Sequence, residues 1–487
     1  MTSSVSSSST GTLSSLGLGS GLDSNGIVSK LVDLERLPIT QLQAQATKIQ
    51  AKVSEFGTIQ SLVTSFRDAA RKVADPTTWN SMTSTSTDSA AVTFATDPGA
   101  AAGSYSVNVK ALAQAQTVVT IKSQTNDQAT IGSGTLTLDK GTWGTDGKFT
   151  ATGTAVQVTI DATDTLEDIR DKINSSGSSV SASIIVDASG ARLAFSSAST
   201  GAANGFRIQA TDNDGGDNDD VGLSQLAYDP EHNTTGTDPA AEAQDASVVV
   251  NGITLTSTTN TFKNALSAIS FTVGKLSNGS PATVTVAPDK DAITKAVNDF
   301  ATAFTSLSDK LHEDTKYDDS SKTAGVLQGD ATAVSILNQF RSTVASSSSA
   351  SSVYGTLSSI GLSVSSSGGL TVDSSKLATA LGKLSEVKKL FTAAGSASVS
   401  GSDGIGTRLR KLGDNMLSFD GTLASRINGL NTSLSKNEKR QDQMDARASL
   451  YEARLRAQYS TLDTTMAGLT TQSQYISQMI TAWSKSS

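Results

Sequence analysis

The stretch LASRINGLNTSLSKNEKRQDQMDARASLYEARLRAQYSTLDTTMAGLTTQSQYISQMITAW, residues 423–483, decides how this chain folds. Its apolar residues keep one 4-3 register. The positions step through Leu423, Ile427, Leu430, Leu434, Asn437, Gln441, Met444, Ala448, Tyr451, Leu455, Gln458, Leu462, Thr465, Leu469, Gln472, Ile476, Met479 and Trp483, and 13 of these 18 are apolar. A 3.5-residue repeat held this long is a coiled-coil seam, narrower than the face of an ordinary globular helix. At ~1.5 Å per residue the helix spans roughly 90 Å. A helix of that length cannot bury its seam against itself, so the stretch predicts partner helices and a chain made to assemble.

Two further segments carry the same spacing. Leu42, Ala46, Ile49, Val53, Phe56, Gln60 and Val63 form one, and Ile293, Val297, Phe300, Phe304, Leu307 and Leu311 another. The simplest packing joins both with part of Leu423–Leu462 in one bundle. Ahead of the first, Asp23 is placed to cap a short helix with Ile27, Leu31 and Leu34 on one face. Pro38 is expected to break that helix, and Asp75-Pro76 to end the next. Residues 1–21 are Ser/Gly-rich and read as flexible.

Between Thr83 and Ala287 the period changes to two. Alternation marks strands at Tyr105–Val109, Thr135–Leu138, Val156–Ile160, Val180–Val186, Leu193–Phe195, Val248–Val250, Ile253–Leu255 and Val284–Val286. One helix interrupts them, at Thr165–Ile173 with Leu166, Ile169 and Ile173 inward. After Pro288, Asp289 or Asp291 caps the helix through Leu311. A helix follows at about 330–344, then a hairpin at Leu362–Val364 and Leu370–Val372. Asp373 caps a helix through Leu377 and Leu381.

The fold class is therefore α+β and multidomain: coiled-coil-like helices from both ends of the chain around an inserted β-rich head of two small modules. The expected segments are 1–40, a flexible N-terminal leg; 41–80, the outgoing helical stalk; 83–124 with 241–287, the first head module; 125–240, the second, inserted module; 288–440, the returning stalk; and 441–487, a coiled-coil leg. The residues expected to make the assembly seam are Leu42, Ile49, Val53, Phe56, Val63, Leu423, Ile427, Leu430, Leu434, Met444, Tyr451, Leu455, Leu462, Leu469, Ile476 and Met479.

Composition narrows the function classes. The chain has 487 residues, 38 Lys+Arg against 46 Asp+Glu, two histidines and no cysteine. Disulfide and thiolate chemistry are thereby absent. A net charge of −8 lacks the basic footprint of a nucleic-acid binder. Leu, Ile, Val and Phe make up only about a fifth of the chain, which points to extended modules with thin cores. No run of ~18 apolar residues spans a membrane. The start, MTSSVSSSSTGTL, lacks the basic and apolar regions of a signal peptide, so export would use another route.

Candidate chemistry is sparse. His232 falls in a loop and His312 in the last turn of a helix, neither with a metal-ligand partner at fixed spacing. The acidic loop Asp212–Asp220 has oxygens suited to calcium. It misses the EF-hand pattern, because its fifth, sixth and twelfth positions are Gly216, Asp217 and Leu223. A solvated turn is the reading it supports. Gly17–Asp23 resembles a phosphate cradle but follows no strand and carries no lysine. No catalytic motif is present, so the chain reads as no enzyme, with no cofactor and no metal. Basic residues between Arg408 and Arg456 outnumber acids, as on a solvated helix face or one that steers toward an acidic neighbour.

Several segments, in order, resemble the bacterial flagellar filament-capping family of hook-associated proteins. They are Gly17-Leu18-Gly19-Ser20-Gly21-Leu22-Asp23 followed by Ile27–Glu35; Gly103–Val109 with Leu112–Gln116; Ala243–Ala246 with Val249–Ile253; Gly329–Thr332; Ile360–Leu362; and Tyr451–Trp483. Residues 125–235 match least. The resemblance implies a secreted structural protein at the distal tip of the flagellum, exported by the flagellar type III route. Its partners would be further copies of itself in a ring of roughly five, flagellin, the hook–filament junction proteins and an export chaperone. Flagellin would fold and insert beneath the ring. The alternative is an adhesin whose β head binds mucin or host glycans, with Trp143 the main head residue suited to stacking on a sugar. A flagellin or junction protein is a third reading, against which the Gly17–Asp23 signature argues.

Overall fold

A computed structural model describes residues 23–232, 236–396, 398–399 and 401–485. The Ser/Gly-rich start and Gly17–Leu22 lie outside the described residues. The chain divides into two units, Met1–Pro76 with Thr294–Ser487, and Thr77–Ile293. Its helices are α1 (Ser24–Ala74), α2 (Pro76–Trp79), α3 (Leu166–Ser175), α4 (Lys290–Thr315), α5 (Ala331–Ala345), α6 (Ser374–Ala380), α7 (Leu384–Thr392), α8 (Ile405–Leu417) and α9 (Thr422–Lys485).

In the helical unit, α1 and α9 run antiparallel. Arg456 reaches Asn25 at 3.5 Å, Arg447 pairs with Glu35 at 2.9 Å, and Arg426 lies over the Phe56 ring at 5.8 Å. Asp23 caps α1 as its position predicts, accepting from the Gly26 amide at 2.9 Å. Two expectations fail here. Pro38 does not end the helix, which continues as one 51-residue element. An interior proline costs about 3 kcal/mol, but Val28 and Val32 before it and Ile39 after it are all buried, and that packing offsets the lost bond. The inward face of the first turns is also Val28, Leu31 and Val32, with Leu34 62% exposed.

The other end of α1 carries the core of this unit. Phe56, Ile59, Val63, Phe66, Ala70 and Val73 are buried at 3-4 spacing. Gln60, expected on the seam, gives way to Ile59, so the stripe shifts by one residue there. The Phe66 ring meets Phe300 and Phe304 of α4 at 5.4 and 5.6 Å, and Phe340 of α5 edge-on at 5.2 Å. Phe300 passes the contact to Phe391 of α7 at 6.1 Å. Helix α8 was not legible in the sequence. It lies close against α1, and a Cβ on Gly413 would come 2.8 Å from Arg67 Cβ. Polar ties brace the same helices. Asp330 caps α5 and pairs with Arg426 of α9. Burial would lower the Lys310 ammonium, but hydrogen bonds to Asp314 at 2.8 Å and Glu55 at 2.6 Å outweigh it and hold Lys310 above its ordinary range.

The second unit holds two cores. A five-stranded antiparallel sheet has the order Met82–Ser86, Ala282–Pro288, Gly103–Ala111, Ala246–Val250, Ile253–Ser257. With a three-stranded sheet (Thr261–Leu266, Ile269–Val273, Val92–Thr96) it encloses Val107, Val109, Val248, Val284 and Phe271. Residues Asn251 and Gly252, at φ 49° and 87°, close the Val250–Ile253 hairpin with the Asn-Gly turn that suits strand twist.

The other core lies between a sheet built on Gly134–Trp143 and one built on Gly190–Ser197. Helix α3 covers it through Leu166, Ile169 and Ile173, all buried, after a Thr165/Asp168 capping box. Strand Thr117–Thr120, which the sequence reading left with the first module, pairs with Gly190–Ser197 and buries Val118 in this second core. The connections between the cores are 112–117 and 241–246, joined by paired backbone bonds between Gln114 and Gln244 at 2.9 and 3.2 Å.

Phe66→Ala is expected to lower the unfolding free energy of the helical unit by about 4 kcal/mol, measured by denaturant titration. A pH effect follows from Glu386. Hydrogen bonds from Lys389 Nζ at 2.6 Å, Ser351 Oγ at 2.8 Å and the Ser352 amide at 3.0 Å pull its carboxyl from 4.5 down to about 2. A depressed carboxyl stabilises above its unfolded value and loses that contribution as pH falls through the folded one. Glu386→Gln should therefore lower the melting temperature at pH 6, with the difference from the parent fading between pH 4.5 and about 2.

Candidate functional site

Two places offer themselves: the exposed end of the α9 seam, and a pocket in the β unit. The sixteen seam residues divide sharply along α1 and α9. Phe56, Val63, Leu423, Leu430 and Leu455 are buried, and Leu42, Ile49, Val53, Ile427, Leu434, Met444 and Tyr451 are half-buried. These belong to the chain's own α1–α9 pairing. Beyond Leu455 the stripe comes into the open. Leu462 is 44% exposed, Leu469 55%, Ile476 47% and Met479 56%. Trp483 rises to 82%.

Helix α9 is continuous through this change. Its inner half is covered because α1 starts at Ser24, where Asn25 sits opposite Arg456. Past that point the seam positions Leu462, Leu469, Ile476 and Met479 are exposed. Val28, Val32 and Leu455, with Leu31, Tyr451 and Tyr459, make the last small cluster before exposure. Apolar side chains spaced to pack, and left in water, mark a surface made for a partner. The polar positions Gln458, Thr465 and Gln472 interrupt the same stripe.

Several basic residues of this region are paired within the chain. Arg410 pairs with Asp414 at 3.0 Å, Lys411 with Asp403 at 2.7 Å and Arg456 with Glu452 at 2.8 Å. They brace helices rather than forming one charged patch.

The pocket has a volume of about 260 Å³ and is lined by Gln116, Trp143, Gly144, Ala202, Tyr228 and Glu242 among others. Trp143 is half-buried and packs against the second core. Its indole donates to the Phe206 carbonyl at 3.1 Å and packs on Phe149 at 4.8 Å and edge-on to Tyr228 at 5.7 Å. Gln116 bonds both ways with Phe206, at 2.9 Å each. Burial, and then the neighbouring Glu242 charge, push the Tyr228 phenol up.

Beside the pocket, Asp229, Glu231 and His232 bring ligand-type atoms within 4.8 Å of one another. His232 thus lies closer to acids than its loop position suggested. Asp229 Oδ2 already accepts from Gln209 Nε2 at 2.8 Å and meets His232 Nδ1 at 2.9 Å, with Arg207 3.9 Å away. Those donors and that positive charge disfavour a cation. In the acidic loop the carboxylates turn onto the backbone instead: Asp212 accepts from the Leu223 and Ser224 amides, Asp217 from Asp212 and Asp214 from Gly216. The loop behaves as a self-capped turn.

Family profiles described as Flagellar hook-associated protein 2 N-terminus and C-terminus match residues 20–116 and 243–471. A third, the Flagellin hook IN motif, matches 144–199, inside the region that resembled the family least. Flagellar hook-associated protein 2 of Escherichia coli K12 is 31% identical over 481 residues, covering 96% of this chain and 97% of that protein. The B-type protein of Pseudomonas aeruginosa is 28% identical over 466 residues, covering 92% and 93%. The crystal structure of the D1-D2-D3 domains of the Escherichia coli flagellar cap protein FliD superposes with a TM-score of 0.58 at 28% identity, covering 77% of this chain and 99% of that one. Among the described residues no helix is long and apolar enough to cross a membrane.

Leu462→Asp and Leu469→Asp are expected to change unfolding free energy by less than about 0.5 kcal/mol, as exposed sites do. Leu455→Asp, at a buried position, should cost about 3 kcal/mol. Thermal unfolding of the three variants measures the contrast.

Proposed function

The chain belongs to the flagellar hook-associated protein 2 family, and from that premise we propose how its parts share the work of capping a filament. The protein is a structural cap of the bacterial flagellar filament. The observation that carries this is similarity over nearly the whole length of both chains, at 31% identity over 481 residues, together with matches at both ends of the sequence.

The finer reading starts from the seam. The outer part of α9, from Leu462 to Trp483, is a foot that docks on neighbouring helices at the filament end. Residues 42–63, 423–455 and α4 hold it on a bundle that forms without help. A foot with glutamine and threonine on its stripe detaches and redocks as subunits are added below, which a fully apolar zipper would resist. Copies of the chain close into a ring of roughly five through a heterologous interface. Flagellin passing the ring folds and inserts beneath it. Contacts with junction proteins and an export chaperone, and secretion by the type III route to the distal tip, belong to the same reading. In domain terms, we assign the first head module to 82–113 with 246–288 and the second to 117–241. Residues 24–74 and 290–485 form the helical part.

Deletion of the gene tests the function directly. Electron microscopy should find cells without filaments and flagellin shed into the medium; normal filaments would sink the reading. The foot has its own test. Cells carrying Leu462→Asp with Leu469→Asp should secrete a folded protein yet elongate few filaments. Normal swimming by those cells would remove the foot from the mechanism while leaving the cap intact.

A further inference from the structure

From the pocket beside the second core of the β unit, where the connections 112–117 and 241–246 pass, we infer a binding site for a small organic ammonium cation. Trp143 Nε1 is committed to the Phe206 carbonyl at 3.1 Å. The Gln116 amide oxygen and nitrogen are both committed to Phe206 at 2.9 Å. These are the groups a sugar or other hydroxylated ligand would need for its hydroxyls. What remains is the two aromatic rings, one rim carboxylate and the hydroxyls of Tyr228 and the exposed Thr145.

The rings stand at 78° to each other with centroids 5.7 Å apart, so they form two walls of a corner rather than a flat platform. Aromatic faces attract cations through their quadrupole, most strongly for tryptophan. Tyr228 is only 8% exposed, yet among the described residues its hydroxyl has no hydrogen-bond partner. Glu242 lines the same pocket and has no ion-pair partner among the described residues. A rim carboxylate above an aromatic corner, with no counter-charge of its own, favours a positive guest. The adjacent cation does not meet that need. Arg207 is turned onto Phe149 at 5.0 Å and is neutralised by Asp139 at 2.9 Å.

The corner is also held in place before any ligand enters. Phe149 packs against Trp143 at 4.8 Å. The Gln114–Gln244 backbone pair holds the two connections, one leading to Gln116 and the other carrying Glu242. Ala202, on the pocket wall, donates its amide to Asp245 at 2.8 Å. A prearranged site loses little entropy on binding, which suits a small ligand. A volume of about 260 Å³ accommodates a trimethylammonium head or the end of a lysine side chain.

Calorimetric titration of the full chain with choline, Nα-acetyl-lysine methylamide and the uncharged choline isostere 3,3-dimethyl-1-butanol tests this. At least one cation should bind with a Kd of a few mM or tighter, and the isostere at least about tenfold more weakly. Preference for choline identifies a free quaternary ammonium as the guest, and preference for the lysine derivative identifies a side chain of a partner protein. Glu242→Gln, at an exposed position that the fold does not need, should weaken the cation about tenfold. Equal binding of choline and its isostere, no binding of either cation, or a Glu242→Gln variant with unchanged affinity would overturn the proposal. Binding of a neutral methyl glycoside in their place would reassign the pocket to sugars.

Discussion

Phe66 is the point on which the helical unit depends. One ring on α1 touches α4 twice and α5 once, and reaches α7 through Phe300. The chain is poor in large apolar residues, with aromatics at 5% of its sequence. A thin core cannot spread its stability over many equivalent contacts, so a few large side chains carry it. Around that hub, α1 becomes the common partner of α4, α8 and α9. Its 51 residues also commit one full side of the inner part of α9.

That commitment explains where the seam is exposed. The seam of α9 is continuous in sequence and discontinuous in environment. It is buried or half-buried as far as Leu455 because α1 lies opposite, and open from Leu462 because α1 begins at Ser24. The same chemistry that builds the bundle is thereby left available beyond it. The β unit is built on another plan. Its two cores are connected by two backbone passages that pair at Gln114–Gln244, and residues of both passages line the pocket.

Periodicity made much of this legible. The 4-3 stripe of α9, the two-residue alternation of the strands and the caps at Asp23 and Asp373 are local properties, and each reappears in the structure. What misled was equally local. Pro38 reads as a stop because its missing N–H is a property of the residue, while the packing that carries α1 through it comes from a helix over 400 residues away in sequence. Helix α8 went unseen because Gly406 and Gly413 look like breakers, although each lets the helix lie close to its neighbours. Strands such as Gly205–Asp212 mix small and polar residues and owe their pairing to the strand alongside.

By itself the sequence determined the element types, the order helix–β–helix and the family, since these rest on short-range patterns and on motifs in a fixed order. It also marked the α9 stripe as one that needs partners. Only the tertiary structure decided which half of that stripe was already taken. It alone placed Trp143, Tyr228 and Glu242 around one pocket, though they lie far apart along the chain. Burial and juxtaposition are properties of chain segments brought together from a distance, and no local pattern encodes them.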